Sequence, residues 1–215
     1  ARFFGCNATL YRGEQLLCAF CRNELPLTEY NFMEENSADR IFYGRSRIVK
    51  AGAFLYYIEK GVVQQLLHAL KYRGQERVGS FLGAWYGQQL SREPLLKGID
   101  YVLPVPLHRK KERRRGYNQC SRFGQEIARC LGARYSEKFL IREIPTPSQT
   151  GRERWGRWQN ASGAFRLRQP GLLEHRRILL VDDVITTGAT LESCCEALWA
   201  HSNVQVFIAV MAVVP

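Results

Sequence analysis

Residues 178–190, ILLVDDVITTGAT, constrain this chain more than any other stretch, because they dictate a strand, a loop and a helix in immediate succession. Ile178, Leu179, Leu180 and Val181 form a short apolar run suited to a central parallel strand, although a buried helix segment would look the same. The residues that follow decide the matter. Leu191, Cys194, Cys195, Leu198 and Trp199 recur at i, i+3, i+4, i+7 and i+8, which is one face of a helix. Between strand and helix lie Thr186, Thr187, Gly188, Ala189 and Thr190, whose side chains are too small to keep an anion from backbone N–H groups. Such a loop at a helix N-terminus attracts phosphate.

Asp182 and Asp183 precede that loop. A carboxylate beside a phosphate is repulsive unless it serves another part of the same ligand. A vicinal diol or a Mg²⁺ would meet that need, since carboxylates accept hydrogen bonds from sugar hydroxyls and Mg²⁺ takes oxygen ligands. Two acids and then a phosphate loop describe ribose hydroxyls first and a 5′-phosphate second; the bland alternative is a strand–turn–helix with Asp-Asp as a solvated turn. On these thirteen residues the chain closely resembles the type I phosphoribosyltransferases, whose signature is an apolar strand, two acids and a Thr/Gly-rich loop. The resemblance implies that Asp182 and Asp183 hold the ribose hydroxyls and that Thr186, Thr187, Gly188, Ala189 and Thr190 hold the 5′-phosphate. It also implies phosphoribosyl pyrophosphate (PRPP), with Mg²⁺, as ligand.

A chain of 215 residues that is 46% hydrophobic can bury a substantial core. No run approaches the roughly 18 apolar residues of a membrane span. Arg2 is followed by only two Phe before Gly5 and Cys6, unlike a signal peptide, and the expectation is a cytoplasmic protein. Seven Cys suit reduced thiols or metal ligands better than a secreted disulfide framework. Lys plus Arg exceed Asp plus Glu by 31 − 20 = 11, a balance that favours polyanionic partners, either a small polyphosphate or nucleic acid.

The first forty residues read differently from the rest. Cys6, Cys18 and Cys21 give C-x₁₁-C-x₂-C around a short polar segment containing Gly13, a pattern that suggests a zinc ribbon. A structural Zn²⁺ wants four ligands, and Phe3 stands where a first knuckle would carry its Cys. The fourth ligand is an upstream residue, a remote one such as Cys120, or absent; in the last case hydrophobic packing alone holds the ribbon. The chain is therefore divided into a ribbon-like segment, 1–40, and a larger unit, 41–215.

From Tyr43 onward strand-like and helix-like patterns alternate, as in an α/β layer fold. Val49, Ala51, Ala53, Leu55 and Tyr57 alternate as a half-buried strand would. Val62, Val63, Leu66, Leu67 and Leu70 make one helical stripe, and Val78, Phe81, Leu82, Trp85 and Tyr86 make another. Between them Lys71-Tyr72-Arg73-Gly74 reads as a helix C-terminus with cations on the dipole and a Gly cap. Val204 to Val214 is a later apolar strand, expected to close the sheet.

The second chemical region is YVLPVPLHRKKERRRGYNQ, residues 101–119. Tyr101, Val102 and Leu103 begin a strand that Pro104 and Pro106 terminate, and ligands of α/β proteins bind at such strand ends. Seven of the eight residues from His108 to Arg115 are His, Lys or Arg. They form either a solvated face or a grip on nucleic-acid phosphates. Cys120, Phe123, Ile127, Cys130 and Leu131 then mark a helix. Residues 145–163 are broken up by Pro145, Pro147, Gly151, Gly156 and Gly163, and carry Arg152, Arg154, Arg157, Trp155 and Trp158, in the manner of a basic lid or of a surface excursion.

PVPLH, RRRGYNQ, VDDVITTGAT and the Lys71–Gly74 elbow together resemble the ComF-type competence family, and Gln149, Thr150, Arg157, Asn160, Ala164 and Phe165 match that family's pattern. Phe3 and Arg152 depart from it. The resemblance implies a type I phosphoribosyltransferase fold, a parallel-rich sheet flanked by helices, behind a small N-terminal zinc-ribbon-like module. It places pyrophosphate at Pro104, Val105, Pro106, Arg109 and Lys110, and Arg157 at the departing group. Zn²⁺ would sit on Cys6, Cys18 and Cys21. The implied activity is phosphoribosyl transfer from PRPP to a nitrogen nucleophile; the alternative is a non-catalytic module of DNA uptake that binds PRPP or single-stranded DNA. A DNA-uptake helicase partner and a homo-oligomer are compatible with either.

Overall fold

The computed structural model describes residues 16–142 and 164–215. In chain order its elements are α1 (Ala19–Asn23), α2 (Ser37–Arg40), β1 (Lys50–Tyr56), α3 (Val62–Tyr72), α4 (Glu76–Leu90), β2 (Tyr101–Pro104), α5 (Arg109–Arg115), α6 (Ser121–Leu131), β3 (Arg134–Tyr135), β4 (Leu140–Arg142), β5 (Phe165–Leu167), β6 (Arg177–Ile185), α7 (Ala189–Trp199) and β7 (Gln205–Val213). Five strands form one sheet in the order β1-β7-β6-β2-β3, and every neighbouring pair is parallel. β4 and β5 pair antiparallel beside it.

Parallel sheets are covered on both faces, which is why their strands read as unbroken apolar runs. Along β6 and β7 the side chains alternate between two cores. Leu179, Val181, Phe207, Ala209 and Met211 pack with Leu66 and Leu70 of α3, Leu82 of α4 and Phe123 of α6. Ile178, Leu180, Val206, Ile208 and Val210 pack with Leu191, Cys194, Cys195 and Leu198 of α7. The helical stripe at 191–199 therefore finds its expected place, as do those of α3 and α4. The helix-flanked, parallel-rich sheet is present.

Two strand expectations change. Residues 204–214 do not close the sheet: β7 lies inside it, between β1 and β6. An apolar run without alternation needs cover on both faces, and an interior position supplies it. β1 is buried on both faces rather than half-buried, with Ala51 and Ala53 in one core and Phe54 in the other. Its small residues, Ala51, Gly52 and Ala53, come first and its large ones, Phe54, Leu55 and Tyr56, follow, with no alternation of dry and wet positions. Ahead of β1 the chain runs alongside it: Thr28 N–H donates to Phe54 C=O at 3.1 Å and Tyr56 N–H to Pro26 C=O at 2.8 Å.

α4 and α6 approach backbone to backbone through Gly79, Gly83 and Gly87, which recur every fourth residue. A Cβ at Gly83 would lie 2.6 Å from the carbonyl oxygen of Phe123, so no larger residue fits without parting the helices. This approach fixes the start of α6, from which several of the side chains below project.

Candidate functional site

The site is built where β6 outruns its neighbour. β2 stops pairing at Pro104, opposite Val181, and its last bond there is Val105 N–H to Val181 C=O at 2.9 Å. β6 continues for four more residues on β7 alone, up to Ile185 opposite Val213. Asp182 and Asp183 thus lie within the strand, which runs on past them to Ile185, and on the flank that β2 has vacated. Both are buried.

Alternation along a strand turns consecutive side chains to opposite faces, and the two acids have different neighbours accordingly. Asp183, in step with Leu179 and Val181, meets the α3 and α6 layer. Its Oδ2 accepts from Gln119 Nε2 at 2.8 Å and pairs with Lys71 Nζ at 2.9 Å. Gln119 is held in turn by Arg115, whose guanidinium also lies 5.7 Å from the Tyr72 ring centroid. Asp182 Oδ1 accepts the Asp183 N–H at 2.8 Å and the Cys120 thiol at 3.6 Å.

The electrostatics follow from this packing. Burial, and then the charge of Asp183, push the Asp182 carboxyl up to about 7; the Asp183 N–H and Lys71 pull the other way. Burial works to lower Lys71, but attraction to Asp183 and the bond to it outweigh burial and hold the ammonium above its ordinary value. Cys120 is raised well above its usual range by burial and by both acids, so it stands as a thiol that donates. Removing one partner of a pair this deep typically costs about 3–5 kcal/mol.

Cys120, Asp182 and Asp183 bring three donor atoms within 4.8 Å of one another. They do not suit a resident Mg²⁺. That ion takes hard oxygen ligands, one donor here is a protonated thiol, and Lys71 occupies Asp183 Oδ2. Cys120, one source considered for a fourth zinc thiolate, sits at the acid pair instead. Cys18 caps α1 and its Sγ accepts the Cys21 N–H at 3.3 Å, which sets two cysteines on one turn; Cys6 lies outside the described residues.

The phosphate-type loop joins the acids to α7. Thr186, Thr187, Ala189 and Thr190 are exposed and Gly188 is buried. Gly188 caps α7 with φ +75°, and a Cβ there would meet Ile41 Cγ2 at 2.8 Å, so only Gly serves. Arg45 braces the loop from outside, donating to Thr187 C=O at 3.0 Å and to Glu192 Oε2 at 2.6 Å.

Across the vacated flank, Asn118 ties the Pro104–Leu107 turn to the start of α6: its Nδ2 donates to Val105 C=O at 2.9 Å and its Oδ1 accepts Cys120 N–H at 3.0 Å. Beside the turn is a cavity of about 120 Å³ lined by Pro104, Pro106, Leu107 and Asn118. Of the expected pyrophosphate residues, Pro104 and Val105 lie beside Val181, the residue before the acids, and Pro106 lines this cavity, which Glu112, Glu137 and Arg142 also line. Lys110 sits exposed in α5, and the Arg109 side chain and Arg157 lie outside the described residues. The basic run 108–115 is a short helix with a Gly116 cap at φ +83°, its Lys110, Lys111, Arg113 and Arg114 in solvent. Lys71 and Gln119 are the site residues whose roles the sequence did not disclose. Lys71 does end a helix as its elbow predicts, but its partner is 112 positions away.

Over 104 residues the chain is 38% identical to competence protein F of Haemophilus influenzae, a match covering 48% of this chain and 45% of that protein. The chain is a sequence relative of the ComF-type proteins. DNA utilization protein YhgH of an Escherichia coli O6:H1 strain is another such relative, 29% identical over 147 residues that cover 66% of this chain and 64% of that one. The chain thus spans less than two thirds of the length of either ComF-type relative. No family model matches it. Among solved structures, the glutamine PRPP amidotransferase of B. subtilis aligns with a TM-score of 0.41 at 20% identity, over 61% of this chain and 26% of that one. Among the described residues no helix is long and apolar enough to cross a membrane.

Proposed function

We propose that this chain binds PRPP and transfers its phosphoribosyl group to a nitrogen nucleophile, releasing pyrophosphate, in a process tied to the uptake or use of DNA. The observation that carries this reading is the pair Asp182 and Asp183, buried on the open flank of β6 and leading directly into the Gly188 loop at the N-terminus of α7. One run of chain offers carboxylates to a diol and, a few residues on, backbone N–H groups to a phosphate. Binding would position C1 of the ribose over the vacated flank. Displacement there develops positive charge on the sugar ring, which the carboxylates offset; basic residues near the Pro104–Leu107 turn receive the negative leaving group. The Mg²⁺ in this reading accompanies PRPP and is not held by the acids. Arg157 remains part of the proposal as a residue that closes over pyrophosphate, and Cys6, Cys18 and Cys21 as thiolates for a structural Zn²⁺.

The test is a screen of nucleobases and amines for pyrophosphate release from PRPP, with calorimetry of PRPP binding alongside. Release that depends on one acceptor class is the expected result. Binding without release by any acceptor would instead favour an accessory module. That second reading has its own observation, the exposed cationic face of α5, which suits single-stranded nucleic acid. The names of the ComF-type relatives fit both.

A further inference from the structure

Lys71 need not reach Asp183. A cation in the last turn of α3 would complement the helix dipole from water, as the exposed Arg73 beside it does. Instead its side chain runs inward to Asp183 Oδ2. The arrangement is braced on both sides: the Tyr117 hydroxyl donates to the carbonyl of Leu70, next to Lys71, and Arg115 holds the Gln119 amide whose nitrogen shares Asp183 Oδ2. Asp183 thus accepts two side-chain donors at one oxygen, one from α3 and one from the turn before α6. Asp182 receives only the neighbouring N–H and a thiol, both at Oδ1, and its Oδ2 accepts no bond among the described residues. The two acids of the motif are not equivalent.

We propose that Lys71 is a positioning residue for ligand recognition, holding Asp183 as a permanently paired carboxylate so that Asp182 is the acid presented to the ribose diol. The identity of the ligand rests on the PRPP reading; the division of labour between the acids rests on geometry. Two buried carboxylates side by side repel, and the Lys71 ammonium is the nearby cation that works against the rise of the Asp182 carboxyl. The groups facing Asp182 are Asp183 on its own strand, Lys71 from α3, Cys120 at the start of α6 and Cys194 from α7. Of these Lys71 alone is positive. Without it Asp182 keeps its proton to higher pH and offers one fewer acceptor to hydroxyls.

The experiment compares the parent chain with Lys71→Met and Lys71→Arg. Carbon NMR of labelled Asp182 is followed across pH in ligand-free protein, and PRPP binding with magnesium chloride is measured by calorimetry at about pH 7 and about pH 9. In the Met variant the Asp182 titration moves upward from about 7, and PRPP affinity falls about tenfold or more near pH 7 but recovers largely near pH 9. The Arg variant stays close to the parent in both. An unmoved Asp182 titration in the Met variant overturns the proposal whether or not PRPP binds, and so does an affinity loss that is the same at both pH values. A parent that binds no PRPP, combined with a shifted Asp182 titration, supports the pairing and counts against the ligand. If the Met variant does not fold, Lys71→Gln takes its place with the same outcomes.

Discussion

The tip of β6 and the helix α5 both concentrate charge of one sign, and they treat it in opposite ways. At the tip, two carboxylates are buried and tied to named donors; in α5, Lys110, Lys111, Arg113 and Arg114 stand in water. Buried, wired charge costs desolvation and in return discriminates among ligands by shape and proton count. Solvated charge attracts any polyanion and is screened by salt. Arg115 belongs to both regions, the last residue of the basic helix and the brace of Gln119.

The largest expected effect would break the comparison if it failed. Asp182→Asn combined with Asp183→Asn should weaken PRPP binding by at least about a hundredfold, since charge-assisted hydrogen bonds contribute about 1.5–3 kcal/mol each, while circular dichroism shows a retained fold. Unchanged calorimetric affinity would remove the ribose role from the tip of β6. Of intermediate size is the effect on nucleic acid. Replacing Lys110, Lys111, Arg113 and Arg114 by Ala should weaken single-stranded DNA binding and reduce its salt slope by about 0.7 for each phosphate no longer neutralised, with PRPP affinity little altered. A fall in PRPP affinity as large as the fall for DNA would show that α5 is wired after all.

The smallest effect concerns stability and sharpens what burial costs. The Asp182 carboxyl sits at about 7 in the folded chain against an ordinary 3.8. Across that window the folded chain keeps a proton that the unfolded chain has lost, so stability falls as pH rises through it and levels off above about 7. Asp182→Asn removes this slope. The variant should melt higher than the parent at neutral pH, by about 2–4 °C for each kcal/mol relieved, and the difference should shrink towards acid pH. A constant difference across the range would mean that the acid is not penalised by burial.

Much of this was legible in the residues and some was not, for a physical reason in each case. The strand–loop–helix at 178–199 could be read because apolar runs and helical stripes are local patterns. That β6 runs on beyond the two acids to Ile185 could not, since the strand is prolonged by its ladder with β7, a partner set by tertiary pairing. The interior position of β7 was hidden likewise: order in a parallel sheet depends on crossovers that leave no mark in the strand itself. Lys71 shows the limit most clearly. Its local signal, a cation before a Gly cap, was correct and complete, and it concealed a second role that only the approach of α3 to β6 creates.

The segment lying alongside β1 has a consequence beyond packing. A sheet ends in rows of unpaired backbone groups that can capture a strand from another molecule. Here Pro26 and Thr28 occupy that row on one side, bonding to Tyr56 and Phe54, while on the other side β3 is only two residues long. Neither margin offers a long template for strand addition. A chain shortened to begin at β1 would keep both acids and the loop, yet it would expose an apolar, hydrogen-bonding rim, and its first failure would be self-association before any loss of ligand chemistry.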